Sequence, residues 1–281
     1  KDNTAIIHTT LLPFISAAGE IKTKPTQHSV MKLREIGLEP DFLVCRTEHN
    51  NHLNENLKQK LGLFCNVQTN NVFESPDVET IYEIPLVLHK QEFDSAIIKK
   101  LSIESNSQDK NIEYLDDFVQ KFKAPESKVT IAICGKYNEL HDAYKSILEA
   151  LIHAATKNKI KANIKWIDSE KLESNNDLNS LFSNVQGVLI PGGFGDRGIE
   201  GKILSSKYAR ENKIPFFGIC LGMQCAVIDF ARNVCNFENA NSTEFNVKTD
   251  HPVIDIMSDQ IDIKDKGATM RLGSYACQIS K

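Results

Sequence analysis

Apolar runs and amphipathic stretches alternate regularly in the second half of the chain. Residues 129–135 and 187–191 are short, mostly apolar runs of the kind that form buried strands, and residues 162–167, where apolar and polar residues alternate, are a further predicted strand. Stretches with apolar residues at helical spacing lie between and after them, among them one near residues 203–212. Strands that alternate with helices predict a doubly wound parallel sheet of the α/β class, in which ligands bind beyond the carboxyl ends of the strands.

The first part of the chain shows a shorter version of the same pattern. Residues 5–8 and 41–45 are predicted strands. The polar residues 22–28 form a predicted loop ahead of a helix that ends at Gly37. This order of strand, loop, helix and strand is typical of an α/β unit.

The segment 101–128 has a different character from the sequence on either side. It is polar and charged and carries Pro125 near its end, which is typical of an interdomain linker, with one short predicted helix at 114–122. We therefore predict one α/β domain over residues 1–100 and a second over residues 129–281. The chain opens on an apolar run without a preceding cap or turn, so we expect it to be part of a longer protein.

Composition narrows the classes of function. Hydrophobic residues make up 41% of the 281 residues and charged residues 25%, as in ordinary globular proteins. The net charge of −4 gives no indication of a nucleic-acid surface, and no apolar run reaches the length of a membrane span. The seven cysteines form no Cys-x-x-Cys pair, which argues against a disulfide framework or a zinc site and favours a reducing cytoplasm. We expect six of the seven to be small core residues.

One cysteine lies in a pattern that points to chemistry. Cys220 follows a predicted strand at 215–219 and precedes a predicted helix at 223–230, with Gly218 and Gly222 on either side. A Gly-x-Cys-x-Gly elbow of this kind lifts a thiol out of the sheet, as the related serine elbow does in hydrolases. The amides at the start of the helix stabilise a thiolate and a developing oxyanion. The alternative is a buried core cysteine in a glycine-containing turn.

A glycine loop at 191–195 ends the preceding predicted strand. Its glycines allow a close approach of the backbone, so that the amides of Gly193 and Leu221 could together hold a tetrahedral oxyanion. The alternative is a tight turn between strand and helix without a ligand. The loop and the elbow in one α/β domain are a much stronger signal than either alone.

Together these two motifs resemble the class I glutamine amidotransferases. That family hydrolyses glutamine through a Cys-His-Glu triad, in which the thiolate attacks the side-chain amide, ammonia leaves and water releases the glutamyl thioester. The resemblance implies that Cys220 is the nucleophile and that Gly193 and Leu221 form the oxyanion hole.

Further motifs make the resemblance narrower. The chain is similar to the CTP synthase family through the elbow, the glycine loop and matching stretches in both predicted domains, namely residues 16–20, 22–29, 136–137, 142–146, 197–201, 209–212, 239–245 and 269–273. The resemblance implies that residues 1–100 are the C-terminal part of a P-loop-type amidoligase domain. It also implies ATP-dependent amination of UTP to CTP with ammonia from glutamine, Mg²⁺ as cofactor, activation by GTP, feedback inhibition by CTP and a cytoplasmic homotetramer.

The resemblance also assigns ligand-binding residues. For glutamine these are Gly192, Gln224, Glu244 and Arg271, where a carboxylate suits the α-ammonium group and a guanidinium suits the α-carboxylate. Arg197, directly after the glycine loop, is the residue expected to respond to GTP. Without the resemblance, Glu244, Arg271 and Arg197 would be interpreted as ordinary surface or loop charges.

Nucleotide contacts are implied in the first domain. Ammonium groups suit a triphosphate and an amide suits a pyrimidine edge. The residues implied for UTP and CTP are Lys22, Thr23, Lys24, Pro25, Thr26, Gln27 and Lys60. Asp77 and Val78 match a stretch near the ATP adenine, although Pro76 stands where the family has lysine. From the residues alone, a solvated basic loop is the favoured interpretation of 22–28.

The chain departs from the family in two respects. It contains no Gly-x-x-x-x-Gly-Lys-[Ser/Thr] loop, and no metal ligand is assigned in it. The family's His-x-Glu also has no counterpart here, so we expect the Cys220 thiolate to lack its base within these residues. Two alternatives to CTP synthesis stay open. One is a regulatory or polymer-forming relative without catalysis, and the other is a glutaminase domain that serves another biosynthetic pathway.

Overall fold

The chain folds into two compact units, Lys1–Lys123 and Ala124–Lys281, and each is described by itself. The computed structural model describes residues 3–48, 51–104, 110–136, 141–173, 177–193 and 197–257. The boundary between the units lies within the segment 101–128. No helix in these described ranges is both long and apolar enough to cross a membrane.

The first unit is a three-stranded parallel sheet with helices packed against it. In the sheet, β4 lies between β1 and β5. The elements in chain order are β1 (Ile7–Leu12), β2 (Phe14–Ile15), β3 (Glu20–Ile21), α1 (Lys24–Glu35), β4 (Phe42–Thr47), α2 (Glu55–Cys65), β5 (Val72–Pro76), α3 (Ile84–Lys90), α4 (Phe93–Leu101) and α5 (Lys110–Lys123).

The central strand β4 is apolar because both of its faces are covered. Leu43 and Cys45 are fully buried in a cluster with Val30 of α1 and Leu61 of α2, so the two helices and the strand share one core. Phe42 packs against Phe73 and Phe93, with ring centroids 6.3 and 5.9 Å away. These aromatic contacts attach α4 to the sheet.

Two features of this unit differ from the sequence-based prediction. Helix α1 begins at Lys24, with Pro25 in its first turn, so most of the predicted polar loop 22–28 is helical. The elements α2, β5, α3 and α4 were not predicted from the sequence. The short helix predicted at 114–122 corresponds to α5.

The second unit is a four-stranded parallel sheet between helices, which confirms the predicted α/β class. The strand order is β7–β6–β8–β9. The elements in chain order are β6 (Ser127–Gly135), α6 (Lys145–Lys157), β7 (Ile160–Asp168), α7 (Ser169–Leu172), α8 (Leu178–Leu181), β8 (Gly187–Ile190), α9 (Ile199–Glu211), β9 (Phe216–Gly218), α10 (Leu221–Asn233), β10 (Asn241–Ser242) and β11 (Pro252–Ile254).

The strand order creates a topological switch point at the carboxyl ends of β6 and β8. Strand β7 lies on one side of β6 and β8 on the other, so the chain reverses its winding direction between them. A ligand crevice forms at such a switch point in doubly wound sheets. The glycine loop that follows Ile190 and the elbow that follows Gly218 both leave the sheet at this edge.

Helices α9 and α10 are joined by an apolar cluster and by one buried ion pair. The cluster contains Ile203 of α9 and Ile228 of α10. Asp229 is 1% exposed and accepts from Nε and Nη2 of Arg210 at 3.0 and 3.1 Å. Asn233 also donates to the Asp229 carboxylate at 2.9 Å. A bidentate guanidinium matches this buried carboxylate in geometry and charge.

Replacing Arg210 should therefore destabilise the second unit. The substitution Arg210→Met leaves the buried Asp229 carboxylate without its cation, and we expect a loss of about 2–3 kcal/mol because Arg210 is itself partly exposed. Urea unfolding followed by circular dichroism measures the change. The control Glu126→Gln breaks the exposed ion pair with Lys159, 2.8 Å long, and should cost less than about 1 kcal/mol. Equal effects in both variants would contradict this account.

Candidate active site

Cys220 occupies a strained turn between β9 and α10. Its φ of 50° and ψ of −107° are unusual for a residue with a side chain, and such backbone strain costs on the order of 1–3 kcal/mol. The surrounding hydrogen bonds hold the turn. Ile219 N–H donates to Ile190 O at 2.9 Å, and the amides of Met223 and Gln224 donate to Cys220 O at 3.0 and 3.1 Å. The thiol itself does not cap the helix and is exposed.

Gly218 and Gly222 make this turn possible because neither position has room for a side chain. A Cβ atom on Gly222 would lie 2.2 Å from Ile190 O, and one on Gly218 would lie 2.5 Å from the backbone of Gly222. Helix α10 therefore starts in direct contact with the ends of β8 and β9. The Gly-x-Cys-x-Gly spacing is explained by this close approach.

The glycine loop lies beside the cysteine. A Cβ atom on Gly192 would be 3.5 Å from Cβ of Cys220, and one on Gly193 would be 3.7 Å from Cδ2 of Leu221. Leu221 is the first residue of α10, so its N–H has no acceptor within the helix. The structure thus brings Cys220, Gly192, Gly193 and Leu221 together, as the motifs predicted.

Burial separates Cys220 from most of the other cysteines. Cys45, Cys65, Cys134 and Cys225 are buried. Burial raises the pKa of Cys45, Cys134 and Cys225 to about 12, which keeps these thiols protonated and unreactive at neutral pH. The expectation of six core cysteines was wrong for Cys235, which is exposed near the end of α10; Cys277 lies outside the described residues.

The turn that carries Glu244 packs back toward the elbow. Phe245 lies against the apolar cluster that includes Leu221 and Cys225. Glu244 N–H donates to Oγ of the buried Ser242 at 3.2 Å, which fixes the backbone beside it. Gln224 lies in the first turn of α10 and is half-buried. Arg271 lies outside the described residues.

Arg197 lies at the start of α9, next to Gly198, whose φ of 69° makes the first bend of the helix. Its side chain is 68% exposed, and its guanidinium lies 3.6 Å from the carboxylate of Glu170. This is a loose surface pair, so the side chain is accessible to a ligand.

The residues implied for UTP divide into accessible and buried side chains. Thr26 is fully buried, 3.1 Å from Oγ1 of Thr10, and Thr23 accepts from Gln27 Nε2 at 3.2 Å. These two hydroxyls therefore stabilise the start of α1. The side chains of Lys24 and Pro25 are exposed. Lys22 is half-buried and pairs with Glu20, which lowers the pKa of that carboxyl.

Lys60 lines a cavity of about 490 Å³ in the same unit. The cavity lies between the β2–β3 hairpin and α2, and its wall also contains Glu20, His52 and Asn54. The sequence did not assign a role to these last three residues. Their positions along the chain show no periodicity that links them, because the hairpin and the start of α2 meet only in the folded unit.

Asp77 and Val78 follow the carboxyl end of β5. Asp77 N–H donates to Thr47 O at 3.0 Å, and Nε of Arg46 donates to the Asp77 carboxylate at 2.9 Å. Pro76 forms the last rung of β5 beside Thr47. These residues lie at the sheet edge where ligands bind in parallel α/β sheets. Among the described residues, no group of three or more His, Cys, Asp or Glu side chains is arranged to hold a metal ion.

Comparisons with known proteins agree with both units. The family model for the N-terminus of CTP synthase matches residues 1–103, and the model for class-I glutamine amidotransferases matches residues 139–281. The second match takes in about half of the chain and includes the elbow. The chain belongs to the class-I glutamine amidotransferase family.

Its resemblance to CTP synthases extends over almost the whole chain. It is 54% identical over 279 residues to the CTP synthase of Clostridium acetobutylicum, a match that covers 99% of this chain. It is 53% identical over 280 residues to that of Methanocaldococcus jannaschii, a match that covers 98% of this chain. The chain spans about half the length of these relatives, 51% of each. A solved structure, the glutaminase domain of Trypanosoma brucei CTPS with bound acivicin, is 41% identical. That match covers 47% of this chain and 51% of that chain, with a TM-score of 0.44.

The amidotransferase elbow should tolerate no side chain at Gly222. The substitution Gly222→Ala places a methyl group against Ile190 O, so we expect destabilisation of about 1–3 kcal/mol despite the better helix propensity of alanine. Thermal unfolding measures the effect. The matched variant Gly193→Ala has its nearest contact at 3.7 Å and should unfold near the wild-type temperature. A Gly222→Ala variant as stable as Gly193→Ala would contradict the close approach.

Proposed function

We propose that the protein aminates UTP to CTP in an ATP-dependent reaction, with ammonia released from glutamine at Cys220. The observation that carries the proposal is the exposed Cys220 thiol on its strained elbow, directly beside the glycine loop. The match of residues 1–103 to the N-terminus of CTP synthase, followed by the match of residues 139–281 to class-I glutamine amidotransferases, supports UTP as the acceptor of the ammonia.

The chemistry at Cys220 is nucleophilic acyl transfer. The sulfur forms a bond to the side-chain amide carbon of glutamine, and the carbonyl oxygen takes the negative charge. The amides of Gly193 and Leu221 donate to that oxygen, and each such donor lowers the barrier by roughly 3 kcal/mol. The carbon–nitrogen bond then breaks, the nitrogen leaves as ammonia after gaining a proton, and water cleaves the thioester to give glutamate.

The amino-acid end of glutamine is bound by residues around the elbow. Glu244 binds the α-ammonium group, Arg271 binds the α-carboxylate, and Gly192 and Gln224 complete the site. The packing of Phe245 on the apolar cluster that contains Leu221 supports the role of Glu244, because Leu221 is the residue directly after Cys220.

The nucleotides bind in the first unit. UTP, and CTP as feedback inhibitor, contact Lys60 and the residues from Lys22 to Gln27, and ATP contacts Asp77 and Val78. ATP phosphorylates the 4-oxygen of UTP, and ammonia displaces that phosphate. The described residues do not provide a site for Mg²⁺.

GTP acts through Arg197, and the protein assembles as a homotetramer. It lies in the cytoplasm, where free thiols such as Cys45 and Cys225 persist.

A glutamine analogue with a diazo ketone should label Cys220 in the complete protein. The reagent binds through its amino-acid end and then reacts with the nucleophile beside that site. Mass spectrometry should therefore find the adduct on Cys220 and not on Cys225 or Cys235. The variant Cys220→Ala should lose both the adduct and ammonia release. Cys235→Ala, the control for an exposed thiol, should keep both. Labelling at Cys235, or ammonia release that survives Cys220→Ala, would contradict the role of Cys220 as the nucleophile.

UTP and CTP should stabilise the complete protein thermally. A ligand at 100 times its Kd stabilises a folded protein by about 2.7 kcal/mol. The substitution Lys60→Met removes a cation from the cavity wall, and we expect roughly tenfold weaker UTP binding. Lys58→Met, on the same helix but outside that wall, is the matched control. If another compound that accepts ammonia stabilises the protein, and UTP and CTP do not, the protein is a glutaminase that serves a different pathway.

A further inference from the structure

Arg232 joins three elements of the second unit at the end of α10. Its Nε donates to Ala240 O at 2.7 Å, and its Nη1 donates to the carboxylate of Glu200 at 2.7 Å. Glu200 lies in the first turn of α9, and Ala240 begins the turn that leads to Glu244. The Arg232 side chain is 20% exposed, so these bonds are partly shielded from water.

The Ala240 carbonyl is the point where the Glu244 turn begins to fold back. Ala240 is fully buried, and Ser242, two residues on, is 1% exposed. The N–H groups of Glu244 and Phe245 donate to Oγ and O of Ser242 at 3.2 and 3.1 Å. The position of the Glu244 backbone therefore follows from the position of the segment that Arg232 holds.

Ala240 is bound at the end of α10, whereas the elbow lies at the start of that helix. Arg232 lies twelve residues after Cys220, which corresponds to about 18 Å of helix. Phe245 packs against the apolar cluster of α9 and α10, of which Leu221 is a member. A small change of direction at Ala240 would therefore displace Glu244 relative to the thiol.

We propose that Arg232 is a positioning residue for glutamine, which fixes the Glu244 turn against α9 and α10 at the distance that the substrate needs. This inference rests on the proposed function. The ligand concerned is the amino-acid end of glutamine, which binds to Glu244. Arg232 does not touch this ligand. Lysine cannot replace Arg232, because one ammonium group does not reproduce two guanidinium donors that point to two separate acceptors.

The overall fold does not depend on Arg232. Helices α9 and α10 are also joined by the apolar cluster of Ile199, Ile203 and Ile228 and by the buried Arg210–Asp229 pair. Loss of Arg232 should accordingly leave the elbow and its thiol in place. The Glu244 turn would then lose its attachment to α9 and α10 through Arg232 and keep only the pairing of β10 with β11, in which Thr243 N–H donates to Ile254 O at 3.0 Å. Binding of the glutamine end and the intrinsic reactivity of the thiol can thus be separated.

Inactivation of the complete protein by the diazo ketone tests the proposal. The dependence of the inactivation rate on diazo ketone concentration gives an apparent dissociation constant and a limiting rate. Iodoacetamide has no amino-acid end, so its rate of reaction reports the reactivity of the thiol alone. For Arg232→Met we expect the dissociation constant to rise about tenfold, with the limiting rate and the iodoacetamide rate within about twofold of wild type. Arg232→Lys should show most of the same rise in the dissociation constant. Glu200→Gln, which keeps the bond to Ala240, should show a smaller one.

Arg210→Met is the matched control, since it also removes an arginine between α9 and α10 but contacts no part of the Glu244 turn. It should lower stability without changing the dissociation constant. The proposal is overturned if Arg232→Met leaves that constant unchanged, or if iodoacetamide labelling of Cys220 falls in parallel, because a general structural role explains the second result. A wild-type protein that the diazo ketone does not label refutes the proposed function itself.

Discussion

The contact between the start of α10 and the carbonyl oxygen of Ile190 governs the geometry of the candidate site. That oxygen accepts the Ile219 amide at 2.9 Å and leaves no space for a side chain on Gly222. With the strand end and the helix start held this close, the residue between them must adopt a positive φ. Cys220 is that residue, and its thiol consequently points away from the core and toward the glycine loop.

The same packing separates an exposed thiol, that of Cys220, from a buried one, that of Cys225. Cys225 lies five residues after Cys220, one turn into α10, and is fully buried in the cluster that joins α9 and α10. Its pKa is raised to about 12 by desolvation, so its thiol acts only as a small apolar group. A difference of one helical turn thus decides whether a cysteine stabilises the core or is available to a substrate.

The two units use the same architectural rule with different side chains. In both, a parallel sheet is buried between helices, and loops at the carboxyl ends of its strands carry the candidate ligand residues. In the second unit these are backbone amides and a thiol, which suit an acyl group. In the first unit, Arg46 lies near the carboxyl end of β4 and Asp77 directly follows β5. Lys60 and Glu20 line a separate cavity beside the β2–β3 hairpin. Charged side chains of this kind suit nucleotides.

The sequence alone determined the α/β class, the strands β6, β7 and β8 and the elbow at Cys220, because periodicity and glycine spacing are local properties. It did not reveal that α1 begins at Lys24, since propensity in a polar segment gives way to the packing of Val30 and Thr26 against the sheet. Nor did it indicate Arg232, whose partners lie 8 and 32 residues away. Contacts between residues so far apart depend on how the helices pack, and only the tertiary structure decides that.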